Sequence, residues 1–132
     1  MQITSSTIST IDVNHFIYLT LSDETSHYFG GYYHVKVLAF CDVPLSAVFF
    51  DSNSEFLDAR DLMGDSVRFE RTLEKMAVPE NEIAHVRSQL VDAFNETTLG
   101  YISTPDFAGR FVRSAYLKCR SKKSVSRQFA GL

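Results

Sequence analysis

The chain has 132 residues, of which 45% are hydrophobic and 22% charged, and its formal net charge at pH 7 is −3. Aromatic residues make up 13%, which excludes bulk disorder and indicates a soluble globular domain. A chain of this length buries roughly two-thirds of its unfolded surface, so it needs neither a metal nor a disulfide to fold.

The two cysteines, Cys41 and Cys119, form no C-x-x-C pair, and no histidine lies at a zinc-ligand spacing from either. Both lie in apolar stretches, so we expect buried thiols. The N-terminal stretch lacks the basic start and apolar run of a secretory signal. No apolar run approaches the roughly 20 residues of a membrane span. We therefore expect a cytoplasmic protein with no membrane contact, no metal and no cofactor.

The net charge hides a split along the chain. Residues 1–104 hold 6 Lys/Arg and 15 Asp/Glu, a charge of −9, whereas residues 105–132 hold 7 Lys/Arg and 1 Asp, a charge of +6. Such asymmetry is typical of a binding segment or of two faces that attract each other.

Strands are predicted first along the chain. Alternation predicts a strand over 11–21, which residues 3–10 could prolong, and His15 falls on its apolar side with Ile17 and Leu19. A loop over 23–31 ends in two glycines, and a second strand follows over about 32–43, ended by Pro44. The second strand's apolar side comprises Tyr33, Val35, Val37, Ala39, Cys41 and Val43. Residues 45–50 are a candidate third strand.

Four helices are predicted after the turn residues 51–54. They cover about 55–63 with Gly64 as the terminating residue, 66–78, the stretch from Pro79 to just before Gly100, and 105–120. The second helix is predicted from one face, that of Phe69, Leu73, Met76 and Ala77. The third has a core face of Ile83, Val86, Leu90 and Phe94, and the last one of Ala108, Phe111, Val112, Ala115 and Cys119.

Strands followed by helices indicate an α+β fold. We expect a small antiparallel sheet of two or three N-terminal strands, with about four helices packed on one face. Residues 1–120 are predicted to form a single domain, and residues 121–132 a polar basic tail that frays. A sheet this small has exposed edges, which invite pairing with another chain.

The last helix carries the first candidate site. Arg110, Arg113 and Arg120 project from the side opposite its core face, with Leu117 between them. An apolar anchor with an arginine rim is typical of a protein interface. The alternative is a solvated face with one exposed leucine, which is common.

The aromatic turn YFGGYY at 28–33 is the second candidate site. Tyr28 and Tyr32 flank the glycines, and His34 follows on the more polar side of the second strand, which suggests a ligand-binding platform. The alternative is a hairpin whose rings cover one end of the core. Arg87 borders the core face of the third helix, and we expect a structural role for it.

The remaining carboxylates give no clear site. Asp51, Glu55, Asp58, Asp61 and Asp65 surround the first helix, but they lack the EF-hand spacing. The sequence contains no P-loop, dinucleotide-binding glycine pattern, G-x-S-x-G or H-E-x-x-H motif. We assign no catalytic residue.

Three functions follow from these candidates. The leading hypothesis is a non-catalytic protein-interaction domain that self-associates, with a homodimer or another protein as partner. The second is a small enzyme or ligand-binding domain with its site near the aromatic turn and His34. The third is nucleic-acid binding through the basic residues of 110–127, which the −9 charge of residues 1–104 opposes.

Overall fold

The structure, a computed structural model, describes the backbone of residues 6–14 and 17–130 and the side chains of residues 7–10 and 17–122. Within these ranges the fold is α+β, with five strands and three α-helices. The strands are β1 (Ser6–Asn14), β2 (Ile17–Asp23), β3 (Ser26–Phe29), β4 (Tyr32–Pro44) and β5 (Ser66–Pro79). The helices are α1 (Asn53–Met63), α2 (Ile83–Ile102) and α3 (Phe107–Ala130), with short 3₁₀ helices at Ala47–Phe49 and Glu80–Glu82.

One sheet contains all five strands. Its order is β1-β2-β4-β3, and β5 also pairs with β4. β2 and β3 both run antiparallel to β4: Thr20 lies opposite Phe40, and Ser26 lies opposite His34. Gly30 has a φ of 55°, a conformation that favours glycine, where β3 and β4 join. In the described part of the chain β1 pairs only with β2, so it forms an edge.

The predicted alternation of the two inner strands is confirmed. Ile17, Leu19 and Leu21 are buried on β2. The apolar side of β4 is buried from Val35 to Val43, at every second residue. The face predicted for the third helix is confirmed too, because Ile83, Val86 and Leu90 of α2 pack with Val35 and Val78.

The predicted strand over 11–21 is wrong, because the structure has two strands there. β1 and β2 pair antiparallel, with Ile11 opposite Leu19 and Asn14 opposite Ile17. Both strands share the same alternation, and no glycine or proline separates them in the sequence. His15 lies outside the described residues, as do the side chains of Ile11 and Val13.

The predicted helix over 66–78 is also wrong, because these residues form β5. Its face residues, Phe69, Leu73, Met76 and Ala77, fit a helical period, but Phe69 and Leu73 also fit a period of two. Pairing with β4 favours the strand over the helix for these residues. Ala77 has a φ of 55°, which interrupts the alternation before the buried Val78. Residues 47–49 form a 3₁₀ helix where a third strand was a candidate.

The three α-helices differ from prediction mainly at their ends. Gly64 terminates α1 as predicted, with a φ of 85°. Gly100 lies inside α2 rather than after it, and the helix ends at Ile102. α3 continues to Ala130, but side chains beyond residue 122 lie outside the described set, so the expected fraying of 121–132 stays a prediction. Among the described residues, no helix is long and apolar enough to cross a membrane.

Contacts divide the chain into two compact units. The first comprises Met1–Cys41 with Phe69–Thr104, and the second comprises Asp42–Arg68 with Pro105–Leu132. The core of the first includes Val35, Val78 and Val86. In the second, the ring of Phe50 contacts the ring of Tyr116 edge to face, with centroids 5.6 Å apart. The prediction of a single domain over residues 1–120 stays a prediction.

Candidate functional site: the outer face of α3

Packing within the second unit decides which side of α3 is exposed. Val112 and Tyr116 are buried on one side of the helix, with Phe111, Ala115 and Cys119 half-buried beside them, which directs the opposite side outward. Gly109 lets the helix backbone approach Phe49 closely, since a Cβ at that position would lie 3.3 Å from the Phe49 ring. The exposed side is therefore set by apolar packing along the whole first half of the helix.

The exposed side forms a shallow concavity of about 560 Å³, which we call the outer face of α3. Leu117 lies in it with 56% of its surface exposed. The residues that line the concavity follow helical spacing and are Arg110, Arg113, Ser114, Leu117, Lys118 and Ser121. Three of the four residues predicted for the interaction surface, Arg110, Arg113 and Leu117, are thus together.

The basic side chains of this face are held only by weak ion pairs or by none. Arg110 pairs at 3.1 Å with Asp106, the residue just before α3, and Arg113 approaches Asp51 at 3.6 Å. Both pairs are exposed, and exposed ion pairs contribute roughly 0–1 kcal/mol. Lys118 forms no ion pair with any described residue. An incoming carboxylate can therefore recruit these side chains at little cost.

Arg120, the fourth predicted residue, lies on the flank of α3 that faces α1. Its guanidinium lies over the Tyr116 ring, 5.9 Å from the centroid. Arg120 and Tyr116 line a polar concavity of about 390 Å³ with residues of α1 and its cap, namely Ser52, Ser54, Glu55 and Asp58. Arg120 is therefore adjacent to the outer face but does not line it.

Tyr116 was missed from the sequence. Its hydroxyl donates a hydrogen bond to Asp58 Oδ2 at 2.8 Å. Burial, together with this hydrogen bond, raises the pKa of the Tyr116 phenol above its usual value. Tyr116 lies at the border between the predicted core face and the polar side of the helix, so helical spacing alone gave no signal for it.

A third concavity, of about 280 Å³, lies between β1 and α2 in the first unit. It is lined by Ile8, Ala84, Arg87, Ser88, Val91 and Asp92. Arg87 pairs with Asp23 of β2 at 2.9 Å, whereas its Nε is buried and has no hydrogen-bond partner among the described residues. The partner of Arg87 is thus a carboxylate of β2 and not one of the acidic residues around α1, and its structural role stays a prediction.

The aromatic turn is the β3–β4 hairpin. Tyr28, Phe29 and Tyr32 are exposed there, and His27 contacts the Gly30 carbonyl oxygen. His34 Nε2 lies 2.8 Å from Glu74 Oε2 of β5. None of the three concavities described above is lined by Tyr28, Tyr32 or His34. Ligand binding at this turn stays a prediction.

Among the described residues, no group of three or more His, Cys, Asp or Glu side chains could hold a metal ion. Comparison with protein-family models, with curated proteins and with solved structures gives no match. Function therefore has to be argued from the residues of the site and their chemistry.

Proposed function

We propose that this chain is a non-catalytic protein-interaction domain that associates with further copies of itself through the outer face of α3. The observation that carries the proposal is the position of Leu117, more than half exposed and flanked by Arg110, Arg113 and Lys118. A central apolar side chain with arginines around it is the composition that protein interfaces favour.

A second copy is the partner that the charges favour. Residues 1–104 carry −9 and residues 105–132 carry +6, so every copy offers both signs. Complementary potentials speed the encounter of two chains and weaken as salt screens them. A nucleic acid would meet the cations of α3 but would be repelled by the rest of the chain.

The test is light scattering after size exclusion, at low and high salt. The proposal predicts a concentration-dependent oligomer that salt weakens, and Leu117→Asp should raise its dissociation constant about tenfold or more. Val48→Asp is the matched control, since Val48 is 84% exposed and lies outside α3. A monomer under every condition would overturn the proposal. If such a monomer retained an oligonucleotide through Arg110 and Arg113 at low salt, nucleic-acid binding would replace the proposal.

A ligand-binding domain or small enzyme is the second candidate, and the His34–Glu74 contact favours it. A carboxylate on one ring nitrogen orients the imidazole and leaves the other nitrogen for a ligand. Amide chemical-shift mapping with a small-molecule library tests this candidate. Shifts centred on Tyr28, Tyr32 and His34 that disappear in His34→Ala would support it, and a library without such shifts would count against it.

The cytoplasm is the compartment that we propose. Cys41 is buried and Cys119 half-buried, and neither forms a disulfide, a state typical of reducing compartments. Labelling of intact and permeabilised cells with a thiol reagent, followed by denaturation, would test it.

A further inference from the structure

We infer that the surface which the outer face of α3 contacts on a second copy is the outer face of α1, defined by Ser54, Leu57 and Asp61. This inference rests on the proposed function and names the partner surface of the same site. The inference follows from the burial, charge and length of α1. Both α1 and α3 lie in the second unit.

Burial fixes which side of α1 faces outward. Ala59 is fully buried, and Ser54, Leu57 and Asp61 lie on the opposite side at spacings of three and four residues. Leu57 is 52% exposed, close to the value for Leu117. α1 therefore presents an exposed leucine among polar residues, as α3 does, but with charge of the opposite sign.

Charge complementarity identifies the occupant. Residues 51–65 contain five acids and one base, Arg60. Arg60 is paired with Asp65 at 3.1 Å, whereas Asp61 is exposed and forms no ion pair with any described residue. Asp61 on α1 and Lys118 on α3 are thus the free opposite charges beside the two exposed leucines.

The lengths of the two faces also match. α1 has 11 residues, about 17 Å at 1.5 Å per residue. The outer face of α3 runs from Arg110 to Ser121, about 18 Å by the same rise. Two helices of this length can pack along their full extent with their axes roughly 8–10 Å apart, which brings both leucines under cover.

The acidic face of α2 fits less well. His85, Ser88, Gln89, Asp92 and Glu96 are exposed there, and none of them is a large apolar side chain. This face would supply charge without an apolar partner for Leu117. Glu96 is therefore the matched control position for Asp61.

A charge exchange between Asp61 and Lys118 tests the inference, with association measured by analytical ultracentrifugation. Asp61→Lys and Lys118→Glu should each raise the dissociation constant about tenfold. A mixture of the two variants should associate again, because the introduced lysine of one chain then meets the introduced glutamate of the other. The double variant should self-associate as the wild type does. Glu96→Lys should change the dissociation constant less than about twofold.

The outcomes separate the two claims. If Leu117→Asp weakens association while Asp61→Lys does not, the α1 surface is wrong and the proposed function stands. If the wild-type chain is monomeric throughout, both fail. Leu57→Asp adds a second measurement, since it should weaken association as much as Leu117→Asp. Unchanged thermal unfolding of each variant shows that the fold is intact.

Discussion

The hydroxyl of Tyr116 donates a hydrogen bond to Asp58 and so links α3 to α1 at 2.8 Å. Tyr116 is 3% exposed, and its ring also packs against Phe50. One side chain therefore fixes the rotation of α3 by both apolar and polar contacts. Because that rotation directs Leu117 outward, the Tyr116–Asp58 bond lies beneath the proposed interaction surface.

Tyr116→Phe keeps the ring and removes only the donor. We expect a loss of about 1 kcal/mol in the free energy of unfolding, since the half-buried Asp58 carboxylate loses a partner. Urea denaturation measures the loss as a lower midpoint with an unchanged slope. Tyr18→Phe is the control, because Tyr18 is exposed and its substitution should change stability by less than about 0.5 kcal/mol. Equal effects of the two substitutions would contradict the assignment.

The same phenol predicts how stability falls in alkali. Its pKa is raised in the folded chain, first by burial and then by Asp58, above the value of about 10 expected when the chain is unfolded. The unfolded state therefore loses this proton first as the pH rises. The associated stability is fully present below about pH 10 and is lost as the pH rises through the folded-state pKa.

Tyr116→Phe should consequently show a shallower decline in unfolding free energy above about pH 10 than the wild type does. Urea titrations at several alkaline pH values measure the two slopes, and Tyr18→Phe again serves as the control. Parallel curves for wild type and Tyr116→Phe would show that this phenol does not titrate differently in the two states.

Arg87 and Asp23 should be energetically coupled. Both side chains are largely buried, and their pair is 2.9 Å long. Asp23→Asn leaves a largely buried guanidinium without its counter-charge. Arg87→Met leaves the Asp23 carboxylate unpaired, but it also removes the buried Nε, which has no hydrogen-bond partner among the described residues, and so avoids part of the cost. We therefore expect Asp23→Asn to cost more than Arg87→Met, with a coupling of about 1–2 kcal/mol in a double-mutant cycle.

The exposed pair of Arg60 and Asp65 is the comparison for this cycle. Its coupling should stay below about 0.5 kcal/mol, because solvent screens both charges. Couplings of equal size in the two cycles would mean that burial does not strengthen the Arg87–Asp23 pair.

The spacing of apolar residues in the sequence correctly predicted those elements in which one face is buried. β4 alternates strictly, so its buried side from Val35 to Val43 followed from the sequence. The outward direction of Arg110, Arg113 and Leu117 followed from helical spacing in the same way. In both cases one face is buried along most of the residues whose side chains the structure describes, so the pattern in the sequence records it.

Such patterns could not predict contacts between residues that are far apart in the sequence. β5 contains residues that suit helix as well as strand, and its conformation depends on β4, more than 20 residues earlier. Tyr116 and Asp58 are 58 positions apart, and Arg87 and Asp23 are 64 apart. Their partners became visible only when the fold brought them together.

Two glycines should respond in opposite directions to alanine. Gly100 lies inside α2, and a Cβ there would meet nothing within 4 Å. Gly100→Ala should therefore raise the free energy of unfolding by about 0.5–1 kcal/mol, because alanine favours helix and restricts the unfolded chain. Gly64 also has open space, but its φ of 85° is one that alanine rarely adopts. Gly64→Ala should lower stability by about 1 kcal/mol or more. Urea midpoints measure both. Stabilisation by both substitutions would show that backbone conformation does not require glycine at the end of α1.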